Sequence, residues 1–431
     1  MTQPTAWGTP LWHATARNHR PRPALQGDQQ TDLAIIGGGF TGLSTALHAA
    51  QNGQSAAVIE AETIAWGATG RNAGFVVPNF AKQDPDDIIA RLGPDRGERL
   101  IGFAAGSADL VFRLIARHAI DCDAQQSGWI QPAHSPAAFA RIQSRAAQWA
   151  TRGRPAQILD RNEIAAVTGA RGYAGGWTDH SGGVLNPTAY ANGLADAAEA
   201  AGARIWVNTR ATNIQPTPDG WRITTASGTL RAGKVVLATN AHGGALAPPL
   251  ARSYFPLRVH QVATHPLPAS IRTRLLPGNQ SISDSRRNLF TFRFDAANRL
   301  ITGGMDIIPW GANRRVPRAI HRRLARLLAI PNLPPLQFAW SGTAAIMPDF
   351  LPRLIELAPN LLAGIACNGR GIALTTMLGQ TLADWSNGTP LAELPVPSGP
   401  AAPLRLHALA RYAPNALLPL SMLRDALDTR P

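Results

Sequence analysis

Lysine is nearly missing from this 431-residue chain: Lys82 and Lys234 are the only two, so 39 of its 41 basic side chains are arginine. Against 27 acidic side chains they give a net charge of +14. The arginines are spread along the chain and form no basic tail, so the charge reads as solvated faces, and nucleic acid is not an expected partner. Cysteine is as scarce. Cys122 and Cys367 are too few for a disulfide framework and wrongly spaced for a metal knuckle, which points to a reducing compartment, the cytoplasm, and to no bound metal. No run of about eighteen apolar residues occurs, so no membrane-spanning helix is expected. The N-terminus, broken by Pro4, Gly8 and Pro10, has no apolar run preceded by a basic region and does not read as a signal peptide. What is present suits a large core: 45% hydrophobic and 16% charged residues at this length exclude wholesale disorder and predict two interleaved domains.

Residues 1–30, with Trp7, Trp12 and the stretch Arg20-Pro21-Arg22-Pro23, read as an arm without regular periodicity that lies on the body. A βαβ unit follows. Leu33 to Ile36 is a short buried strand, Leu43, Ala46, Leu47 and Ala50 recur at helical spacing up to Asn52-Gly53, and Ser55 to Glu60 is the next strand. Residues 31–84 thus open a nucleotide-binding domain. Residues 85–180 read as mainly helical with a substrate-domain segment, 181–250 as the second part of the nucleotide domain, and 251–335 as the substrate-domain sheet, with alternating stretches at 257–262 and 289–294. Residues 336–395 are the third part of the nucleotide domain and 396–431 a tail.

Gly37-Gly38-Gly39-Phe40-Thr41-Gly42 matches G-x-G-x-x-G and stands where its mechanism requires, between a buried strand and an amphipathic helix. Gly37 permits the tight turn, Gly39 the approach of backbone to a pyrophosphate, and Gly42 the packing of helix on strand. Unpaired N–H groups at the helix start favour phosphate. Eighteen residues after Gly42, Glu60 closes the second strand, where an acid accepts from a ribose hydroxyl and repels a 2′-phosphate. One adenine dinucleotide other than NADP is predicted.

The residues that follow select among dinucleotides by resemblance. Glu60-Ala61-Glu62-Thr63-Ile64-Ala65-Trp66-Gly67-Ala68-Thr69-Gly70-Arg71-Asn72-Ala73-Gly74 resembles the segment of the D-amino-acid-oxidase-like family in which an acid is followed by W-G-A-[ST]-G-R-N-[GA]-G. Within that family the resemblance is nearest the γ-glutamylputrescine oxidase branch, and it extends over most of the chain, including Lys234 to Ala241, Ser283 to Gly304 and Cys367 to Leu374. It implies an α/β fold: a Rossmann-like, glutathione-reductase-like FAD-binding domain with an interleaved α+β substrate domain built on an antiparallel sheet. It also implies FAD, with Gly67, Ala68, Thr69, Arg71, Asn72 and Ala73 beside the flavin and its pyrophosphate. Ala238, Thr239 and Asn240 are further contacts, and Ala211 stands in place of the valine whose backbone meets the adenine. Gly369, Arg370, Gly371 and Ile372 occupy the place of a G-H-G segment at the flavin's pyrimidine edge. There Arg370 either adds a fixed positive charge or pairs with a surface acid.

The implied reaction is oxidation of a C–N bond in an amine or amino acid to an imine, by hydride transfer to flavin N5 and then hydrolysis. Positioning supplies most of the acceleration in such a step. Accordingly no Ser/His/Asp triad or metal cluster stands out among the eleven histidines and their neighbours. Arg370, Arg293 and His260 are the catalytic candidates. Arg258, Arg286 and Arg287 join Arg293 as candidates to hold an acidic end of the substrate, and Gln261 is expected on the strand face opposite His260 and Arg258. Relatives with covalent flavin carry a cysteine just before a T-P-D-like segment, whereas Trp340 to Asp349 has none, so the FAD is expected to be non-covalent. No lysine stands at Ala373 or on Leu300-Ile301-Thr302, leaving dioxygen or another electron acceptor open. The competing readings are oxidation of an aminomethyl group on tRNA and a basic nucleic-acid-binding flavoprotein without turnover.

Overall fold

Leu33, Ala34, Ile35 and Ile36 are apolar on both strand faces, and such a strand is stable only between two covering layers. The computed structural model describes residues 6–17, 20–244, 246–305, 308, 310–405, 407, 419, 421–422, 424–425 and 428. In it these four side chains form the buried end of the strand Gly27–Ile36, which lies inside a parallel array. The order is Leu361–Ile365, Gly228–Leu237, Gly27–Ile36, Ala56–Ile59, Arg204–Trp206. Arg353–Ala358 extends the array antiparallel, and Ser398–Pro400 adds an edge. The hairpin Asn213–Thr217 and Gly220–Thr224 pairs along the first half of Gly228–Leu237.

Two helices meet over this sheet at close range. Phe40–Gln51 and Gly371–Ser386 touch where a Cβ on Gly379 would stand 2.6 Å from the Thr41 carbonyl oxygen, and Ser44 Oγ donates to Thr376 O at 2.7 Å. That contact holds the first turns of both helices toward one cleft.

Among the described residues the second sheet also has nine strands. Its order is Ala6–Trp7, Leu336–Ile346, Phe255–Pro266, Arg299–Met305, Thr291–Phe294, Ser281–Ser283, Trp129–Ala133, Gly175–Asp179, Ala156–Leu159. Most pairs are antiparallel, but Ala6–Trp7 with Leu336–Ile346 and Ser281–Ser283 with Trp129–Ala133 are parallel. The fold is therefore the expected α/β arrangement, with a mixed second sheet. Three of its strands fall in residues 85–180, read from the sequence as mainly helical. Trp129–Ala133 hides because all five residues are buried, which removes alternation, and because Pro132 demotes a strand assignment. Leu336–Ile346 carries the sheet past residue 335, where its end was expected.

The N-terminal arm also differs from the expectation of irregular chain. Leu11–Thr15 is helical and buries Leu11 and Trp12, with Trp12 edge-on to Trp340 at 6.5 Å between ring centroids. Among the described residues no helix is long and apolar enough to cross a membrane. Most of the tail beyond residue 405 lies outside the described residues.

Candidate active site

The glycine loop is shaped by contacts that forbid side chains. A Cβ on Gly42 would fall 2.0 Å from Gly37 O, and one on Gly37, whose φ is +117°, 2.7 Å from Ala238 O. Gly39 caps the helix Phe40–Gln51 without a side-chain acceptor of its own, so apart from Phe40 N the first N–H groups of the helix remain available to a phosphate. Thr69 closes on this turn, with Phe40 N donating to its Oγ1 at 3.3 Å. The helix Gly371–Ser386 begins likewise without a side-chain cap or an acid in its first turn.

Two adjoining cavities lie between these helix ends. One, of about 220 Å³, is walled by Gly37, Gly38, Glu60, Ala61, Gly67, Ala211, Thr239 and His242 among others. The second, of about 280 Å³, is walled by Phe40, Thr41, Arg71, Asn72, Ala73, Gln261, Arg370, Gly371 and Ile372 among others. Gly39, Ala68, Thr69, Ala238 and Asn240 belong to both walls, so the two form one elongated cleft. Glu60 accepts from Gly38 N at 2.6 Å and from Glu62 N at 2.9 Å. Burial raises its pKa above the ordinary carboxylate value, against the opposing effect of those two N–H groups.

The segment between the cavities is folded by its own asparagine. Asn72 Nδ2 donates to Thr69 O at 2.6 Å and its Oδ1 accepts from Gly74 N at 2.8 Å. Tryptophans clamp it from outside: Trp12 Nε1 donates to Asn72 O at 2.6 Å and Trp340 Nε1 to Arg71 O at 3.0 Å. Arg71 in turn donates to Trp66 O and Ser341 O and stacks over the Trp66 ring. Arg71 and Asn72 thus build the wall as much as they face the cleft.

The model of the DAO family, FAD dependent oxidoreductase, matches residues 32–385. This chain belongs to the DAO family. It is 30% identical over 381 residues to gamma-glutamylputrescine oxidoreductase of Escherichia coli (strain K12), covering 87% of this chain and 88% of that protein. It is 28% identical over 428 residues to the probable oxidoreductase OrdL of Rhizobium meliloti (strain 1021), with 94% and 98% covered. Among solved structures, glycine oxidase from Geobacillus kaustophilus shares the fold with a TM-score of 0.68 at 23% identity, over 84% of this chain and 96% of that one. L-proline dehydrogenase from P. horikoshii does so with a TM-score of 0.70 at 18% identity, over 86% and 96%.

The DAO family's FAD fits the cleft of this chain on its own geometry. The glycine loop lines the cleft with side-chain-free backbone at Gly37, Gly38 and Gly39, the helix behind it begins without a cap from Gly39, and Thr239 Oγ1 is buried without a hydrogen-bond partner. Every residue expected from the sequence to contact the cofactor lines one cavity or both, except Gly42, which packs behind the loop.

The catalytic candidates separate. Arg370 lines the 280 Å³ cavity, stacks over Trp129 at 4.9 Å, and has its Nη1 buried without a partner. Burial, then repulsion from Arg145, lowers its pKa to about 9, partly countered by Asp84. It remains a cation at neutral pH. Arg293 is a correction. It is 2% exposed, gives Nη1 to Gly74 O and Leu185 O and Nε to Phe294 O, and lies over Trp12. Those carbonyls fix it as a strut between strand and loop, away from the cavity wall. His260 is the second correction. Alternation on Phe255–Pro266 puts Leu257, Val259 and Gln261 on the cavity, leaving buried His260 on the face where Arg258 reaches Asn313 and Ser341. Arg286 pairs with Asp284, and Arg287 with Asp425 and Asp428.

Gln261 is the residue whose importance the sequence understated. It is buried in the cavity wall with Oε1 unpaired, opposite Gly303, where a Cβ would stand 2.6 Å from that oxygen. Its signal was strand alternation, which fixed that it opposes His260 but not which of the two faces the cleft.

Proposed function

We propose that the protein holds FAD non-covalently and oxidises the C–N bond of a small amine or amino acid that also carries an acidic group. FAD-dependent oxidation of amines and amino acids is the chemistry of its relatives, among them the glycine oxidase of Geobacillus kaustophilus, 24% identical over 366 residues. The observation that carries the acidic-group reading is a pair of buried, unpaired polar atoms on cavity-lining residues: Gln261 Oε1, an acceptor, and Arg370 Nη1, a donor. An amine N–H satisfies the first and a carboxylate oxygen the second, and either left unsatisfied is costly.

Bound FAD supplies the acceptor for the hydride that leaves the substrate carbon. The chain supplies the rest. Gln261 orients the neutral amine, Arg370 anchors the acid, and Phe40, Phe75, Val77, Leu257 and Val259 keep water from the reacting carbon. Arg145, paired with Asp84, and Lys82 stand close enough to Arg370 for the cations to repel one another. Desolvation, then Arg370 and Arg145, lowers the Lys82 pKa, the mark of cations gathered at one corner. The imine formed takes up water and releases the nitrogen, and dioxygen or another acceptor reoxidises the protein. Non-covalent attachment is supported by Cys367, the only thiol in the cavity wall among the described residues. Burial raises its pKa and keeps it protonated, a poor nucleophile. Two free cysteines fit a reducing cytoplasm as the place of action.

Heat or acid denaturation followed by absorbance of the supernatant, and anaerobic titration of the native protein with a panel of amines, test this reading. Released yellow flavin and bleaching by acidic amines are expected. Flavin retained on the denatured chain, or a spectrum that no amine changes, would contradict it.

A further inference from the structure

On the face of the second sheet away from the cleft lies the helix Ala312–Leu327, whose buried side is Ala312, Val316, Pro317, Ile320 and Leu324. Its outer side is built from one kind of residue. Arg314, Arg315, Arg318, Arg322 and Arg326 are all exposed, and at about 100° per residue they occupy an arc of about 120°. Arg323, the sixth arginine, turns inward to Asn288 O and over Phe290. Along the chain the sequence has no Asp or Glu between Asp306 and Asp349. At the head of this stripe stand the two most exposed large apolar side chains described, Trp310 at 90% and Ile308 at 57%. Exposed apolar side chains of this size beside a cationic stripe mark a contact surface.

We propose that this face docks on a bilayer surface rich in anionic phospholipid, with Trp310 and Ile308 entering the headgroup region and the arginine stripe meeting the phosphates. Charge and shape both argue for it. A basic helix side flanked by an interfacial tryptophan and an aliphatic residue is what a peripheral membrane protein presents, and each arginine near such a surface adds to partitioning. An aliphatic Ile308 has no counterpart in a phosphate backbone, so a lipid fits the patch better than a nucleic acid does. The location has a consequence for the enzyme. Met305 lines the cavity and is three residues from Ile308, within about 11 Å of it, so docking brings that cavity wall next to the bilayer.

Co-sedimentation of the FAD-loaded protein with vesicles tests this, read by flavin absorbance in the pellet at about 50 mM and about 500 mM salt. Vesicles of phosphatidylcholine with about one quarter phosphatidylglycerol should bind it, and pure phosphatidylcholine should not. Arg318→Glu with Arg322→Glu should weaken binding at least about tenfold, and Trp310→Ser several-fold, with flavin content and amine turnover in solution unchanged. Arg96→Glu with Arg231→Glu removes the same charge from exposed positions elsewhere. If that control weakens binding as much, net charge and not this face is responsible, and the proposal fails. It fails also if neither vesicle binds, or if labelled tRNA binds through Arg318 and Arg322 while vesicles do not.

Discussion

In the proposed function, substrate choice turns on Arg370. Its guanidinium is buried beside Arg145 and Lys82, a position that disfavours the charged form until an anion arrives. Arg370→Met should therefore raise the KM of an acidic amine about tenfold to a hundredfold and leave a neutral amine within about threefold, the value of a lost charge-assisted hydrogen bond. The sign of the pH effect follows. A cation with a lowered pKa loses its proton as pH passes about 9, so the KM of an acidic amine should climb there, while that of a neutral amine does not. A parallel climb for both substrates would assign the effect to some other group. Glu60 behaves inversely. Burial raises its pKa, so its ionised form, the better acceptor for a ribose hydroxyl, is lost at a higher pH than for an ordinary carboxylate. FAD affinity should fall as the solution is acidified through that value, and Glu60→Gln should bind FAD more weakly with a flattened pH profile. Fluorescence titration of released flavin separates these outcomes.

At the scale of elements, the short helix Leu11–Thr15 ties the N-terminal arm to the cofactor loop. Trp12 is 1% exposed, donates to Asn72 O, and lies under Arg293. Trp12→Ala should cost about 3–5 kcal/mol of stability and release FAD more readily, because it both opens a cavity and frees the loop. Thermal unfolding with and without added FAD measures both; an unchanged midpoint would show that the arm only rests on the body. Such a five-residue element was illegible in the sequence, since it is too short for a periodicity and its stability comes wholly from packing. The glycine loop was legible for the opposite reason. Gly37, Gly39, Gly42 and Glu60 act through turns and distances fixed within one βαβ unit, so their spacing carries their geometry. The strand Phe255–Pro266 stands between: alternation separated His260 from Gln261, but the choice of face belongs to the helix Ala312–Leu327 and the cleft packed on either side. Arg293 looked like a substrate residue because a strand arginine's partners are invisible in sequence, and here they are carbonyls of Gly74 and Leu185.

Over the whole molecule, the cofactor cleft is closed by residues from chain segments far apart: the glycine loop, the strand end at Ala238, the substrate sheet at Gln261 and the helix start at Arg370. A ligand that touches all of them couples the sheets. Adding FAD to the stripped protein at about a hundred times its dissociation constant should stabilise the fold by about 2.7 kcal/mol, raising the midpoint by roughly 3 °C. A midpoint that ignores FAD would show that the native protein does not hold it. The central claim, that the cleft takes an amine at Gln261 and an acid at Arg370, is tested most directly by anaerobic flavin bleaching with two amines that differ only in a carboxylate or its amide. The half-saturating concentration should be at least about tenfold lower for the acid in the native protein, and that gap should vanish in Arg370→Met. Equal half-saturation by the two amines in the native protein, or a gap that survives the substitution, would contradict it.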